Sequence, residues 1–276
     1  MKFLLIGNGF IAPAHKDAIK KIGGEIIGIV DKNQGENKWM GAVKKTDADC
    51  VVVLTPNDLH FEMIKLALEQ DKIVLCEKPL VIKLEQAKML ANENKVFIVL
   101  QLRHHPFVEL IRREQFDRRD KYKIDMNLYF KRDDKDYIEG WKNQKERSGG
   151  FLYNLGIHYF DLLLYLFGDA KEIKVEKIYE KNDTIPEAEG KGIIEGENYT
   201  CNWQIFINKK ENGVIIKKRE YIINGIPYNF SSKDNLAEEN LHKFVYQDLL
   251  SGKGITSNEA LKSIKLVDSI YKNIES

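Results

Sequence analysis

The sequence predicts an α/β protein of two domains: a doubly wound parallel sheet over residues 1–105, then an α+β domain over residues 106–276 with an open, mostly antiparallel sheet. Three observations carry this. Five short apolar runs alternate with helical stretches as far as residue 100. A glycine-rich turn follows the first run at once, and beyond Arg103 the hydrophobic pattern changes to the period-two alternation of half-exposed strands.

The first run, Phe3 to Ile6, passes straight into Gly7-Asn8-Gly9-Phe10-Ile11-Ala12, a G-x-G-x-x-A turn. Gly7 permits a tight turn, Gly9 lets backbone approach a pyrophosphate, and Ala12 lets the next helix pack closely on the strand. The unpaired N–H groups at that helix start favour phosphate oxygens. A helix from Ala14 to Ile22 follows, Gly23-Gly24 breaks it, and Glu25 to Val30 forms a second strand ending at Asp31. At that spacing the Asp31 carboxylate can accept from both ribose hydroxyls of an adenosine and would repel a 2′-phosphate, so NAD is expected over NADP. Lys32 beside it softens the discrimination. These are the marks of a Rossmann dinucleotide-binding domain.

Between Asp31 and Cys50 there is room for a single crossover, one short helix spanning about Asn37 to Lys45 with Trp39, Met40 and Val43 inward. The sheet is therefore expected to lack its outermost strand. Cys50 to Leu54, Lys72 to Cys76 and Val96 to Leu100 are the remaining strands, with helices at Asp58 to Gln70 and through Leu84 to Leu90. Their near-continuous apolar character is that of parallel strands covered on both faces.

In the second domain a helix is predicted from Phe107 to Arg119, an alternating strand from Tyr122 to Lys131, and a long apolar helix from Gly150 to Phe167. Strands follow near Glu172 to Tyr179, Ile193 to Ile207 and Val214 to Ile223, with turn signals at Asn182-Asp183, Asn212-Gly213 and Asn224-Gly225. Helices from Leu236 to Leu250 and Asn258 to Ile274 close the chain. An open sheet with an apolar outer face needs a cover, so a homodimer or homotetramer through that face is expected.

Composition narrows the function. Lys plus Arg at 43 against Asp plus Glu at 42 gives a formal charge of +1, which argues against a nucleic-acid or general polyanion partner. The basic run from Arg112 to Lys123 is interleaved with acids and reads as a solvated helix face. Three cysteines without C-x-x-C spacing suggest neither a disulfide framework nor a zinc site, so no metal is expected. No apolar run reaches membrane-spanning length, and the first strand is too short for a signal peptide, which makes the cytoplasm the expected compartment.

Two segments carry chemistry. Glu77-Lys78-Pro79 sits where a parallel strand ends, at the edge where open α/β sheets bind ligands, and a lysine before proline is held out of helical geometry. In Gly149 to Asp161, helical spacing puts Asn154, His158 and Asp161 on one face of an otherwise apolar helix. Such a stripe is either satisfied internally or lines a binding site.

Taken together, the G-x-G-x-x-A loop, Thr55-Pro56-Asn57 with His60, Glu77-Lys78-Pro79 and Gly149-Gly150 through Gly156-x-His158-x-x-Asp161 resemble the glucose–fructose oxidoreductase/inositol dehydrogenase family, in the same order and along nearly the whole chain. Pro13, His15, Gln101-Leu102-Arg103 with Pro106, the run Trp141 to Gly150 and the segments around Leu241-His242, Val245-Tyr246 and Gly252-Lys253-Gly254 are similar to the branch that oxidises UDP-N-acetylglucosaminuronic acid at its 3-hydroxyl for surface polysaccharide synthesis. The resemblance implies a cis Lys78–Pro79 bond, with Lys78 between nicotinamide and sugar. It implies cofactor contacts at Gly7, Gly9, Phe10, Ile11, Ala12, Asp31, Lys32, Thr55, Pro56, Asn57, His60, Glu77, Lys78 and Gln101.

His158 matches the family's histidine and is expected to act as the base, since histidine's unperturbed pKa of about 6.5 suits proton transfer near neutrality. Lys78 would stabilise the developing alkoxide. Asn154 stands where many members carry aspartate; an amide cannot take a proton and is suited to orienting the sugar. Arg103 is the candidate grip on the uronate, with Asp161 also at the substrate. Tyr137, Trp141, Lys145 and Arg147 are candidates for the nucleotide portion or for structural roles. Ala14 stands where this branch often has arginine, which removes any anion contact there. Two other readings stay open: a dehydrogenase of another sugar or polyol, and a non-catalytic NAD-binding relative.

Overall fold

The computed structural model describes residues 1–35, 37–114, 121–132, 135–179, 189–230 and 240–273. Contacts divide the chain into two compact units, residues 1–101 with 238–264, and residues 102–237 with 265–276. The expected division placed all of 106–276 in the second domain; instead residues 238–264 return to the first, for a reason visible in its core.

In the first unit the order is β1 (Lys2–Ile6), α1 (Ala12–Lys21), β2 (Glu25–Val30), α2 (Lys38–Lys45), β3 (Cys50–Val53), α3 (His60–Glu69), β4 (Ile73–Cys76), α4 (Leu84–Leu90) and β5 (Val96–Ile98). All pairings are parallel, in the order β2-β1-β3-β4-β5. Residues 50–53 are buried throughout, which is why this strand reads as unbroken apolar sequence. β2 is an edge: between it and β3 the described residues hold a 3-10 turn (Lys32–Gln34) and α2, with no further strand, as expected. On α2 Val43 is fully buried, whereas Met40, expected inward, is exposed. Strand order reverses at β1, which has β2 on one side and β3 on the other, and the glycine turn leaves its C-terminal end at that switch point.

Beyond it come α5 (Pro106–Glu114), β6 (Tyr122–Phe130), the single turns α6 (Lys135–Ile138) and α7 (Lys145–Ser148), α8 (Ile157–Phe167), β7 (Ala170–Tyr179), β8 (Glu189–Gly196), β9 (Tyr199–Ile207), the short hairpin β10 (Lys210–Glu211) with β11 (Val214–Ile215), β12 (Lys218–Ile223) and β13 (Ile226–Asn229). Six strands form one sheet, β13-β12-β6-β9-β8-β7, antiparallel except for β6 beside β9. The long run expected at Ile193 to Ile207 is a hairpin that turns at Glu197-Asn198. Asn212-Gly213 and Asn224-Gly225 form hairpin turns with positive φ at both residues, +49° and +80°, then +50° and +86°. The turn expected at Asn182-Asp183, the C-terminal part of the helix expected to reach Arg119, the start expected at Leu236 and the end at Ile274 lie outside the described residues.

One sheet face is apolar: Ile124, Met126, Leu128, Cys201, Trp203 and Ile205 are buried, and Phe160 of α8 meets Trp203 edge-on at 5.7 Å. The other face is not the apolar surface expected. Asn202 donates to Asp125 at 2.9 Å, Gln204 donates to Asn127, Lys218 pairs with Glu220 at 2.9 Å, and Lys191 pairs with Glu176 at 3.2 Å. A ladder of amides and ion pairs crosses the strands there, beside Tyr129 and Phe206, whose rings meet edge-on at 5.4 Å.

Last in the chain are α9 (His242–Leu250) and α10 (Ser257–Lys272). Val245, Tyr246 and Leu249 of α9 enter the first unit's core with Phe3, Leu5, Ile19, Val52 and Leu75, and the Tyr246 ring meets Phe3 at 5.5 Å. Burying these three side chains draws the segment back to that unit, at roughly 1.5–3 kcal/mol for each fully buried large side chain. No described helix is long and apolar enough to cross a membrane.

Candidate active site

In the first unit Gly7 has φ +107°, and a Cβ there would stand 2.5 Å from the Leu54 carbonyl oxygen, so glycine is required by conformation and by space. A Cβ at Gly9 would meet nothing within 4 Å, Phe10 is 91 % exposed, and Ala12, the first residue of α1, is fully buried, with Pro13 next to it in the first turn. Lys16 Nζ donates to Asn8 Oδ1 at 2.6 Å. This open backbone cradle at a helix N-terminus fits a dinucleotide pyrophosphate. Asp31 ends β2, and its Oδ1 accepts from the Asn33 N–H at 2.9 Å, with Lys32 exposed beside it.

Glu77-Lys78-Pro79 leaves the end of β4, and the Lys78–Pro79 bond is cis. Glu77 N–H still pairs with the Val53 carbonyl, so the tripeptide starts in sheet register. Its carboxylate is buried and engaged by the protein: Oε1 accepts from His15 Nε2 at 2.9 Å and faces His242 Nε2 at 3.6 Å, while Oε2 accepts from the Lys78 backbone N–H at 3.2 Å. Burial alone would push this carboxyl up; its contacts with His15 and His242 outweigh that and hold the group well below the usual carboxylate range. Burial pushes His15 down, so its ring is neutral and donates from Nε2, leaving Nδ1 to accept from the Tyr246 hydroxyl at 2.8 Å. The three potential ligating atoms of His15, Glu77 and His242 lie within 4.8 Å of one another, but the 2.9 Å approach of His15 to Glu77 is that of a hydrogen bond with a proton between them.

His60, expected among the cofactor contacts, is 0 % exposed, with Nδ1 at 2.8 Å from the Pro79 carbonyl and Nε2 at 3.0 Å from that of Thr55. It ties the Thr55-Pro56-Asn57 loop to the lysine loop and cannot touch a ligand. Glu77 is corrected likewise: its carboxylate holds backbone and histidines. Thr55, Pro56 and Gln101 are half-buried and Asn57 is buried.

In the second unit Gly149 (φ +79°) and Gly150 (φ +85°) turn the chain between α7 and the next helix, braced by Ser148, whose Oγ donates to the Gln144 carbonyl at 2.9 Å and accepts from the Gly150 N–H at 3.1 Å. The expected helix then begins as a π-helical turn, Leu152–Gly156, before α8. That wider turn shifts Asn154 off the regular four-residue stack with His158. Asn154 is buried on the π turn, while His158 is half-buried among fully buried neighbours on α8. Gly156 lets this helix sit close to the sheet, for a Cβ there would lie 3.0 Å from Ile205.

Arg103 and Asp161 correct the expectation most. Arg103 Nε and Nη2 donate to Asp161 Oδ2 and Oδ1, each at 2.8 Å, with side chains only 9 % and 3 % exposed, and the guanidinium lies 4.6 Å from the Tyr165 ring centroid. The two-pronged face that was to grip a sugar carboxylate already grips a protein one. Tyr137, expected at the nucleotide, is buried with the Arg132 guanidinium 5.6 Å from its ring. Trp141 is half-buried at the head of a 3-10 turn; Lys145 is exposed, its Nζ 5.0 Å from the Tyr271 ring centroid. Sequence reasoning missed His242 facing Glu77, Tyr246 paired with His15, and the π turn; the resemblance at Leu241-His242 and Val245-Tyr246 was the available signal.

A parallel sheet with an open G-x-G-x-x-A cradle at its switch point, followed by a unit with a mostly antiparallel sheet, defines a two-unit protein with a dinucleotide-binding Rossmann fold. The chain belongs to the Gfo/Idh/MocA oxidoreductase family: residues 1–97 match its NAD-binding Rossmann fold and residues 108–226 its C-terminal alpha/beta domain. Among solved structures it is similar to the WlbA (WbpB) dehydrogenase from Thermus thermophilus in complex with NAD and UDP-GlcNAcA, at 27 % identity and TM-score 0.79, covering 96 % of this chain and 92 % of that one. The same Thermus dehydrogenase in complex with NAD and alpha-ketoglutarate matches at 26 % identity and TM-score 0.80, with the same coverage. Among curated proteins it is 28 % identical over 189 residues to glucose-6-phosphate 3-dehydrogenase of Bacillus subtilis, covering 60 % of this chain and 53 % of that protein. The chain thus spans about half the length of the curated relatives it matches.

Proposed function

We propose that the chain is an NAD-dependent dehydrogenase that oxidises the 3-hydroxyl of a UDP-N-acetylglucosaminuronic acid-like nucleotide sugar to the 3-keto sugar, in the cytoplasm and for surface polysaccharide synthesis. The observation that carries the reading is the mounting of Lys78: it follows a strand end at the ligand-binding edge of the parallel sheet, between a pinned Glu77 and a Pro79 tied to His60. The likeness to the Thermus dehydrogenase supports the choice of sugar.

Gly7, Gly9 and Ala12 would hold the NAD pyrophosphate and Asp31 the adenosine ribose. Bound NAD supplies the acceptor for the carbinol hydrogen and its electron pair. The carbinol O–H bond breaks with its proton passing to an imidazole nitrogen of His158, and the Lys78 ammonium donates to the oxygen as negative charge grows there. Asn154 orients the sugar by hydrogen bonding, and Trp141 and Lys145 contact the nucleotide. Arg103 and Asp161 act as a structural pair within the second unit instead of as sugar ligands.

Absorbance at 340 nm with NAD and a panel of UDP-sugar acids tests this. Reduction with UDP-N-acetylglucosaminuronic acid is expected. No reduction with any sugar, despite demonstrable NAD binding, would replace it with the non-catalytic reading. Reduction by a sugar phosphate alone would favour the reading suggested by the Bacillus subtilis relative.

A further inference from the structure

His15, Glu77, Asn240, His242 and Tyr246 form a polar group within the first unit that the proposed chemistry does not use. It begins at α9. Asn240 Nδ2 donates to the Ala14 carbonyl at 2.7 Å and to Asp17 Oδ2 at 3.0 Å, which fixes the amide so that Oδ1 is the acceptor turned to His242. His242 Nδ1 then donates to that Oδ1 at 2.8 Å, and its Nε2 is aimed at Glu77. One turn later Tyr246, fully buried, reaches His15 Nδ1 with its hydroxyl. Burial raises the Tyr246 phenol well above its ordinary value, so the group stays protonated and the hydroxyl is the donor.

The chain of donors therefore runs one way: Tyr246 O–H to His15 Nδ1, His15 Nε2–H to Glu77 Oε1, and the Lys78 backbone N–H to Glu77 Oε2. The Glu77 carboxylate has one oxygen on the histidine side and the other on the peptide that carries Lys78. Turning that carboxylate turns the acceptor on which the lysine's own N–H depends. His15 Nε2 holds one carboxylate oxygen and the Lys78 N–H the other, while His242, whose Nε2 stands 3.6 Å from Oε1, packs edge-on against the His15 ring at 4.8 Å between centroids and so holds His15 in place.

We propose that Tyr246 and His242, contributed by α9, are positioning residues for Lys78, acting through His15 and Glu77. The inference rests on the proposed role of Lys78 in turnover. It gives the return of residues 238–264 to the first unit a functional reason: the segment completes the mount of the lysine.

The test uses Tyr246→Phe, which keeps the ring packed against Phe3 and removes one hydroxyl, and His242→Gln, in the full-length protein with NAD and the sugar that reduces it. A misdirected lysine is expected to lower kcat by about tenfold in each variant, within the range set by sub-ångström to 1 Å misplacement. NAD affinity, measured by fluorescence quenching, and the sugar KM should stay within about twofold, and the pair of substitutions should cost little more than either, since both act on one carboxylate. His242→Asn should fail to rescue, whereas Glu77→Asp should lose turnover as the others do. Unchanged kcat per correctly folded protein in both Tyr246→Phe and His242→Gln, with only a lowered Tm, would overturn the inference in favour of a packing role. Lys78→Met in the same assay separates the two failures: near-normal turnover there would sink the role of Lys78, whereas lost turnover there with unaffected Tyr246 and His242 variants would sink this inference alone.

Discussion

Replacing Asp161 by asparagine removes one negative charge and almost no volume from the buried side of α8. Arg103 would keep its guanidinium in a place where its side chain is 9 % exposed, with the two 2.8 Å charge-assisted bonds reduced to contacts with a neutral amide. Breaking a buried ion pair from one side typically costs about 3–5 kcal/mol, because the surviving charge is left uncompensated. The Tyr165 ring 4.6 Å from the guanidinium offsets about 0.5–1 kcal/mol of that, so a loss of about 3 kcal/mol is expected. In a chain of this size that lowers Tm by roughly 6–10 °C. Urea unfolding at neutral pH followed by circular dichroism is the assay. Arg103→Met with Asp161→Leu removes both charges and should recover most of the loss, since apolar replacement of a buried pair is often neutral. A loss below about 1 kcal/mol for Asp161→Asn, or a double variant as unstable as the single, would refute the reasoning. A rise in KM confined to acidic sugars in Arg103→Met would return Arg103 to the substrate.

Further outcomes follow from single contacts. Gly7→Ala puts a Cβ 2.5 Å from the Leu54 carbonyl at φ +107° and should cost about 1–3 kcal/mol in thermal unfolding, with weaker NAD binding by titration calorimetry. Asp31→Ser should raise the NADP to NAD preference in kcat/KM by tenfold or more on the order-of-magnitude scale of one lost charge contact. His105 packs between Phe107 and Phe230, accepts from the Phe107 N–H at 3.2 Å, and is pushed down to about 4 by burial from an unfolded value of 6.5. The unfolded chain binds the extra proton between those values, so the His105 contribution is present in full above pH 6.5 and is lost as pH falls toward 4. With allowance for solvent at the site, wild type should lose about 1–2 kcal/mol more than His105→Asn between pH 7 and pH 5 in urea unfolding, and equal losses would contradict this.

Much of the first unit was legible because its signals are local. The apolar strands, the glycine turn and the short crossover between Asp31 and Cys50 each follow from residues adjacent in sequence, and the edge position of β2 came from counting the residues available. The Asn-Gly hairpins were legible for the same reason, since few residues but glycine and asparagine accept positive φ. What the sequence hid was set by partners far along the chain. Arg103 and Asp161 are 58 residues apart, His15 and Tyr246 are 231 apart, and no spacing rule links either pair. A lone arginine near a suspected carboxylate substrate reads the same whether its partner is a ligand or an aspartate. The polar outer face was misjudged because Ile193, Phe206 and Ile222 are evident in the sequence, whereas the lateral pairing of Asp125, Asn127, Asn202 and Gln204 depends on the β6–β9 register. The π turn has no sequence signature that separates it from the helix it begins.

Turnover of Lys78→Met with saturating NAD and the sugar that reduces it bears on the whole chemical account. The expected result is a kcat about a hundredfold to a thousandfold below wild type, as for loss of a positioned donor to a developing oxyanion, with NAD dissociation unchanged within about twofold. A variant that binds NAD and turns over at near the wild-type rate would contradict it.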